Sequence, residues 1–270
     1  MFKAICIIIM FFIIILIAGL YYYKKTTRSV PTDKSMSIGQ RFHYETSQNW
    51  QSVVAKIFRK LMPAKAYKEC PEAKIIKLPK PEYSGITVEE ALLKRRSQRN
   101  YSNKPLSIAY LSQLIFAASG ITSERGGRTA PSAGSKRPME IYMIVNNVEG
   151  LEPGIYHYAV KQHSLEIIKF GNYRKDIISA GLEQAMLGDA NVTFVITAIF
   201  DRVRQKYGER GFRYSYMEAG HISQNIYLQS VSLGVGSVCV GAFFDEKVNE
   251  LIGIDGIDEA AIYLHAVGTL

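Results

Sequence analysis

Residues 192–200 read VTFVITAIF, a continuous uncharged run rich in β-branched and aromatic side chains. Such a run reads as a strand buried on both faces. Elements of both kinds surround it. Glu140–Asn146 (EIYMIVN) alternates and then turns apolar, as a strand does. Gly154–Tyr158 and Leu165–Lys169 form a strand pair about a turn near Gln162–His163, and Val235–Val240 and Ala260–Val267 are the last two strands. Tyr173–Met186 reads as a helix. Tyr214–Leu233 reads as a longer one, in which Gly220, Ser223 and Ser230 permit close packing. Upstream, Thr87 and Glu90 make a capping box that opens a helix over Val88–Arg96, and Ser107–Ser119 is a helix ending at Gly120. The expectation is an α+β domain over 85–270.

The N-terminus is of another kind. Ala4–Tyr23 (AICIIIMFFIIILIAGLYYY) is uncharged over 20 residues. A helix of that length spans a hydrocarbon core of about 30 Å. Tyr21, Tyr22 and Tyr23 suit the interface, and Lys24, Lys25 and Arg28 follow. Ile17-Ala18-Gly19 offers no small-x-small cleavage pair, so the span reads as an uncleaved anchor over 1–23 rather than a signal peptide. More basic residues follow it than precede it, which places the large domain in the cytoplasm by the positive-inside bias. Residues 24–84 read as a basic linker. It holds one short helix, Gln48–Met62, stopped by Pro63, and an extended arm marked by Pro71, Pro79 and Pro81.

Charge separates the two parts. Positions 24–100 carry 17 Lys and Arg against 7 Asp and Glu, within a chain whose net charge is +9. The remainder is close to neutral. That argues against a nucleic-acid footprint on the folded domain, and a basic tract beside an apolar span suits an anionic membrane surface. Cys6, Cys70 and Cys239 are too few for a disulfide framework, and none has metal-ligand spacing such as CxxC. No metal site is read from them, and Cys239 reads as a packing residue.

Three tracts carry chemistry. Arg95-Arg96-Ser97-Gln98-Arg99 gathers three guanidinium groups and a hydroxyl at a helix end, donors suited to phosphate oxygens. Thr129–Ser135 (TAPSAGS) is small and turn-prone, so its backbone can approach a flat ligand closely. Gly234–Phe243 (GVGSVCVGAF) joins a helix to a strand and ends in small residues. Each alone is also what an ordinary loop or helix cap looks like. His221, on the long helix, reads as a core histidine.

Together these tracts resemble the nitroreductase family, in its streptolysin-associated, SagB-type dehydrogenase branch. The resemblance is carried by RRSQRNY (95–101), RTAPSAGSKRPMEIY (128–142), EPGIYHY (152–158), KYGERGFRYSYMEAGHISQN (206–225) and LGVGSVCVGAFFD (233–245). The connector also resembles that branch, in FHYET (42–46) and YKECPEAKIIKLPKP (67–81). It implies an α+β sandwich with a mixed central sheet flanked by helices, a homodimer, and FMN at the subunit interface. Arg95, Arg96, Ser97 and Arg99 would hold the phosphate and ribityl chain. Pro131, Ser132, Ala133, Gly134 and Ser135 would line the isoalloxazine from the other subunit. Gln184 would stand near the pyrimidine edge, and Cys239, Val240, Gly241 and Ala242 beside the ring, with the Gly241 N–H near N5. Two departures stand out. Ser135 replaces a common Asn, and the sequence stops at Leu270 without the basic residues that often complete the phosphate site.

In that branch a Lys-Tyr pair serves proton transfer during azoline oxidation, and Lys206-Tyr207 lies in the corresponding stretch. The resemblance therefore implies a flavin oxidoreductase acting on a small molecule or a modified peptide, with NAD(P)H as a candidate electron donor. The alternative is a non-catalytic relative that docks a peptide or membrane partner.

Overall fold

A computed structural model describes residues 37–47 and 65–270. The apolar span at 4–23 and the helix read at 48–62 lie outside the described residues. Among those described, no helix is long and apolar enough to cross a membrane. The chain divides into two compact units, Met1–Arg59 and Lys60–Leu270. In the first, helix α1 (Ile38–Glu45) starts at a capping box: the Gln40 amide donates to Ser37 Oγ, and the Ser37 amide donates to Gln40 Oε1.

The second unit is a seven-stranded sheet between two layers of helices. In chain order its elements are β1 (Ile75–Lys77), α2 (Val88–Lys94), α3 (Ile108–Ser119), β2 (Met139–Val145), β3 (Gly154–Ala159) and β4 (Ser164–Phe170). Then come α4 (Arg174–Ala180), α5 (Met186–Asp189), β5 (Val192–Ile199), α6 (Phe200–Tyr207), α7 (Arg210–Ser232), β6 (Gly236–Val240), α8 (Asp245–Ile252) and β7 (Glu259–Gly268). The sheet order is β1-β4-β3-β2-β5-β7-β6.

Every pairing in that order is antiparallel, which corrects the mixed sheet the resemblance implies. Hairpin connections between β2, β3 and β4 impose alternation on one half. In the other half, α6 and α7 carry the chain from β5 to β6 in the same direction, as a crossover does. β7 then runs back between them. The extended arm is more than a linker, because it supplies edge strand β1, with Ile76 opposite Leu165.

Alternation along the strands builds two cores. Ile141, Met143, Phe194 and Ile196 pack with Leu111, Ile115, Ile222 and Ile226 of α3 and α7. Tyr142, Ile144 and Val195 pack on the opposite face with Ile177, Leu187, Val248 and Ile252 of α4, α5 and α8. That is why 192–200 shows no polar face. Each fully buried large aliphatic contributes about 1.5–3 kcal/mol through removal from water.

Two helices differ from their sequence pattern. The helix expected over 173–186 stops at Ala180, because Leu182 and Glu183 take left-handed conformations (φ 57° and 58°), and α5 starts only at Met186. The helix expected from Tyr214 begins at Arg210 and is preceded by α6, with a break at Gly208 (φ 60°).

Candidate functional site

The basic tract leaves the helix sooner than its pattern suggests. α2 stops at Lys94, and Arg95 turns to extended backbone (φ −54°, ψ 121°). Arg96 Nη1 folds back to donate to the carbonyls of Leu93 (3.1 Å) and Arg95 (2.6 Å), satisfying the helix end. The Arg95 guanidinium lies over the Tyr227 ring at 5.2 Å. Ser97 Oγ is 2.9 Å from Tyr227 Oη, and the Gln98 amide donates to the Ser237 carbonyl at 2.9 Å. Arg99 is exposed. Tyr101 seals the tract against Gly236 and Gly268, which face each other across β6 and β7. A Cβ on Gly268 would stand 2.5 Å from the Tyr101 ring.

Tyr227 also joins this tract to the exit of β6. The Cys239 amide donates to Tyr227 Oη at 3.0 Å, and Tyr263 Oη donates to Cys239 Sγ at 2.8 Å. Burial pushes the Tyr227 and Tyr263 phenols up, so both stay protonated. Val240 points into the core on the far side of the sheet. Gly241 and Ala242 are exposed, and a Cβ on Gly241 would meet only the edge of the Tyr263 ring, at 3.6 Å. Gln184 Nε2 donates to the carbonyls of Gly181 (2.7 Å) and Ala242 (2.9 Å), which fixes the amide beside that exit. Behind Tyr227, His265 stacks edge-on at 4.6 Å and its Nδ1 is 2.8 Å from Ser223 Oγ. Full burial pushes the imidazole down to about 3, so it is neutral.

The Thr129–Ser135 tract forms a short turn. Gly134 and Ser135 both have positive φ (57° and 55°), and Ser132 Oγ accepts from the Arg137 amide at 2.8 Å. The turn rests on two supports. A Cβ on Gly134 would lie 2.6 Å from Tyr207 Oη and 2.8 Å from Lys206 Nζ, so only a glycine lets that pair sit so close. Lys206 Nζ stands over the Tyr207 ring at 5.3 Å, and Tyr207 packs edge-on against Tyr214 at 4.9 Å. Beneath the turn is Glu218, only 5% exposed. Burial, the largest effect, pushes its carboxyl up to about 7, against the opposing pull of the Ser132 hydroxyl, the Ala133 amide, Arg128 and Arg137. Its Oε2 is buried with no partner among the described residues.

One set of contacts therefore links Arg95 and Ser97 through Tyr227 to Cys239, with Gln184 bound to the Ala242 carbonyl beyond it. A second unites Pro131–Ser135 with Lys206 and Tyr207. Along α7 the two are separated by the span from Glu218 to Tyr227, ~13 Å at about 1.5 Å per residue. Sequence reasoning passed over Tyr227, Glu218, Tyr263 and His265, and it took His221, which is exposed, for a core residue. The signal for Tyr227 was present: Ala219, Ser223 and Tyr227 recur every fourth position, a partly polar stripe on the buried face of a helix.

A sequence profile described as the nitroreductase family matches residues 92–269. A nitroreductase-type protein of Methanocaldococcus jannaschii is 43% identical over 174 residues, covering 64% of this chain and 88% of that protein. The trifolitoxin-processing protein TfxB of Rhizobium leguminosarum bv. trifolii is 27% identical over 146 residues, covering 52% of this chain and 39% of that protein. A crystal structure of a nitroreductase-type protein from Anabaena variabilis matches with a TM-score of 0.66 at 32% identity, covering 74% of this chain and 42% of that chain. The chain thus spans less than half the length of the last two.

Proposed function

The chain belongs to the nitroreductase family, in its SagB-type branch, and from that premise we propose that it is a membrane-anchored FMN-dependent oxidoreductase acting on a modified peptide. The observation that carries the flavin reading is the Tyr227 junction, which ties Ser97 to the Cys239 amide. It makes a basic tract and a small-residue backbone edge into one surface, as a ligand with a phosphate at one end and a flat ring at the other requires. The donor set fits that ligand. Arg95 and Arg99 offer guanidinium forks and Ser97 a hydroxyl. Gly241 leaves open space where a side chain would otherwise stand.

FMN, when bound, supplies hydride transfer at N5. The rest falls to the chain. Arg95, Ser97 and Arg99 hold the phosphate end. Arg96 contributes by fixing the helix end from which they depart. Gln184 orients the 241–242 backbone. Pro131–Ser135 of a second copy covers the ring, which the ~13 Å separation along α7 favours over coverage within one chain. Lys206 and Tyr207 remove a carbon-bound proton from the substrate and release it to water. That role, and the similarity to the trifolitoxin-processing protein TfxB, favour a modified peptide as substrate, with a nicotinamide nucleotide as electron donor or acceptor. Residues 4–23 tether the whole to the membrane.

The test is flavin extraction from the full chain purified in detergent. FMN at close to one equivalent is expected. Arg95→Ala with Ser97→Ala lowers that content, whereas Lys206→Ala keeps the flavin and loses turnover. Protein that is colourless and refuses FMN on reconstitution overturns the proposal in favour of a docking subunit.

A further inference from the structure

We propose that Cys70, His157 and Glu166 form a site for one divalent ion of borderline softness, zinc by preference, at the edge of the sheet away from α7. The proposal is independent of the flavin reading.

The ligand geometry comes from the sheet. His157 on β3 and Glu166 on β4 are direct cross-strand partners, and both are buried. His157 Nδ1 lies 2.7 Å from Glu166 Oε2. Cys70 comes from the segment leading into β1, the other neighbour of β4, and its amide donates to Glu166 Oε1 at 3.2 Å. The Cys70 sulfur, a His157 ring nitrogen and a Glu166 carboxylate oxygen all lie within 4.8 Å of one another. Bonds of about 2.3 Å to sulfur and about 2.0–2.2 Å to nitrogen and oxygen place tetrahedral ligands ~3.3–3.8 Å apart. The 2.7 Å His157–Glu166 contact is shorter than that range and opens by ~0.6 Å when an ion enters.

The surroundings match what a metal-bound histidine needs. The other ring nitrogen, Nε2, is 3.0 Å from Glu140 Oε2. Glu140 is held in turn by Arg202 Nη1 at 2.5 Å and the Lys68 amide at 3.3 Å. A carboxylate on the far nitrogen fixes the tautomer and raises the basicity of the ligating one. Thiolate, imidazole and carboxylate together favour zinc or cobalt over magnesium or calcium. A narrow cleft lined by Tyr67, Lys68, Glu69 and Lys161 reaches Glu140 and Glu166. No spacing in the sequence announces the site, because its ligands lie on three separate segments that meet only through β1–β4 and β3–β4 pairing.

The experiment uses the full chain in detergent, stripped with a chelator and titrated with cobalt. One equivalent should bind, with visible bands of a tetrahedral ion and a thiolate-to-cobalt charge-transfer band, and zinc should displace it. Cys70→Ser, a mild change at a half-buried thiol, should abolish the charge-transfer band and weaken zinc binding more than ~10-fold. Glu140→Gln should weaken it by about 10–100-fold while keeping the band. Circular dichroism of both variants should match the wild type. Substoichiometric cobalt binding, or an unchanged band and affinity in folded Cys70→Ser, overturns the proposal.

Discussion

The hydroxyl of Tyr227 meets Ser97 on one side and the Cys239 amide on the other. Tyr227→Phe removes both bonds and leaves a partly buried N–H without its acceptor, a cost of about 1–3 kcal/mol. FMN affinity is expected to fall ~10-fold with little change in the far-ultraviolet dichroism. Equal affinity in titrations of the two proteins would reduce Tyr227 to a packing residue. Two other buried groups on α7's face govern stability in opposite directions. Glu218 has a raised folded pKa of about 7, so its proton is bound in both states below the ordinary carboxylate range. Its stabilisation is full there and is lost as pH rises through about 7. Glu218→Gln should therefore melt like the wild type near pH 5 and a few degrees higher near pH 8. A constant difference at both values would contradict the shift. His265 is depressed to about 3, so its contribution is full above the ordinary histidine range and drains away as pH falls toward 3.

At the scale of elements, the strands and helices with unbroken periodicity were legible. Residues 192–200 are the buried strand their composition demands, and Thr87 caps its helix by accepting from the Glu90 amide, although Glu90 Oε1 accepts from Lys94 instead of closing the capping box. What could not be read depends on partners distant in sequence. β1 carries only three residues and is a strand because β4 offers an edge. The antiparallel order depends on where β7 inserts. The break at Leu182 and Glu183 is left-handed backbone at residues that give no glycine signal. In the site, the three tracts were legible as donors and small residues, and Tyr227 showed only as one member of a helical stripe, whereas Glu218 was not legible, because a single polar residue on a helix shows its purpose only once packed. The turn at Gly134 sits between these cases. Ala there needs a left-handed conformation costing about 1–2 kcal/mol and pushes on both Lys206 and Tyr207. Gly134→Ala should lower turnover ~10-fold or more while the melting temperature drops only a few degrees. Undiminished turnover would separate the turn from the Lys-Tyr pair.

For the whole molecule, the physics of the N-terminus and that of the domain are separable. Residues 4–23 carry no charge, and the basic surplus is confined to the stretch that follows. Removing 20 uncharged, largely aliphatic residues from water is favourable enough to make insertion effectively irreversible. The basic flank adds about 1 kcal/mol per charge only where it faces an anionic leaflet, and salt screens that contribution. The two contributions therefore give different signatures in fractionation. If the span inserts, the full chain stays in the membrane pellet through high salt and alkaline carbonate, and only detergent releases it. If the basic stretch alone holds it, high salt suffices for release. The first result is expected, together with a chain lacking 1–36 that remains in the supernatant and retains its flavin. Release of the full chain by salt would dismiss the anchor and leave the flavin site untouched, since the two rest on separate stretches of the sequence.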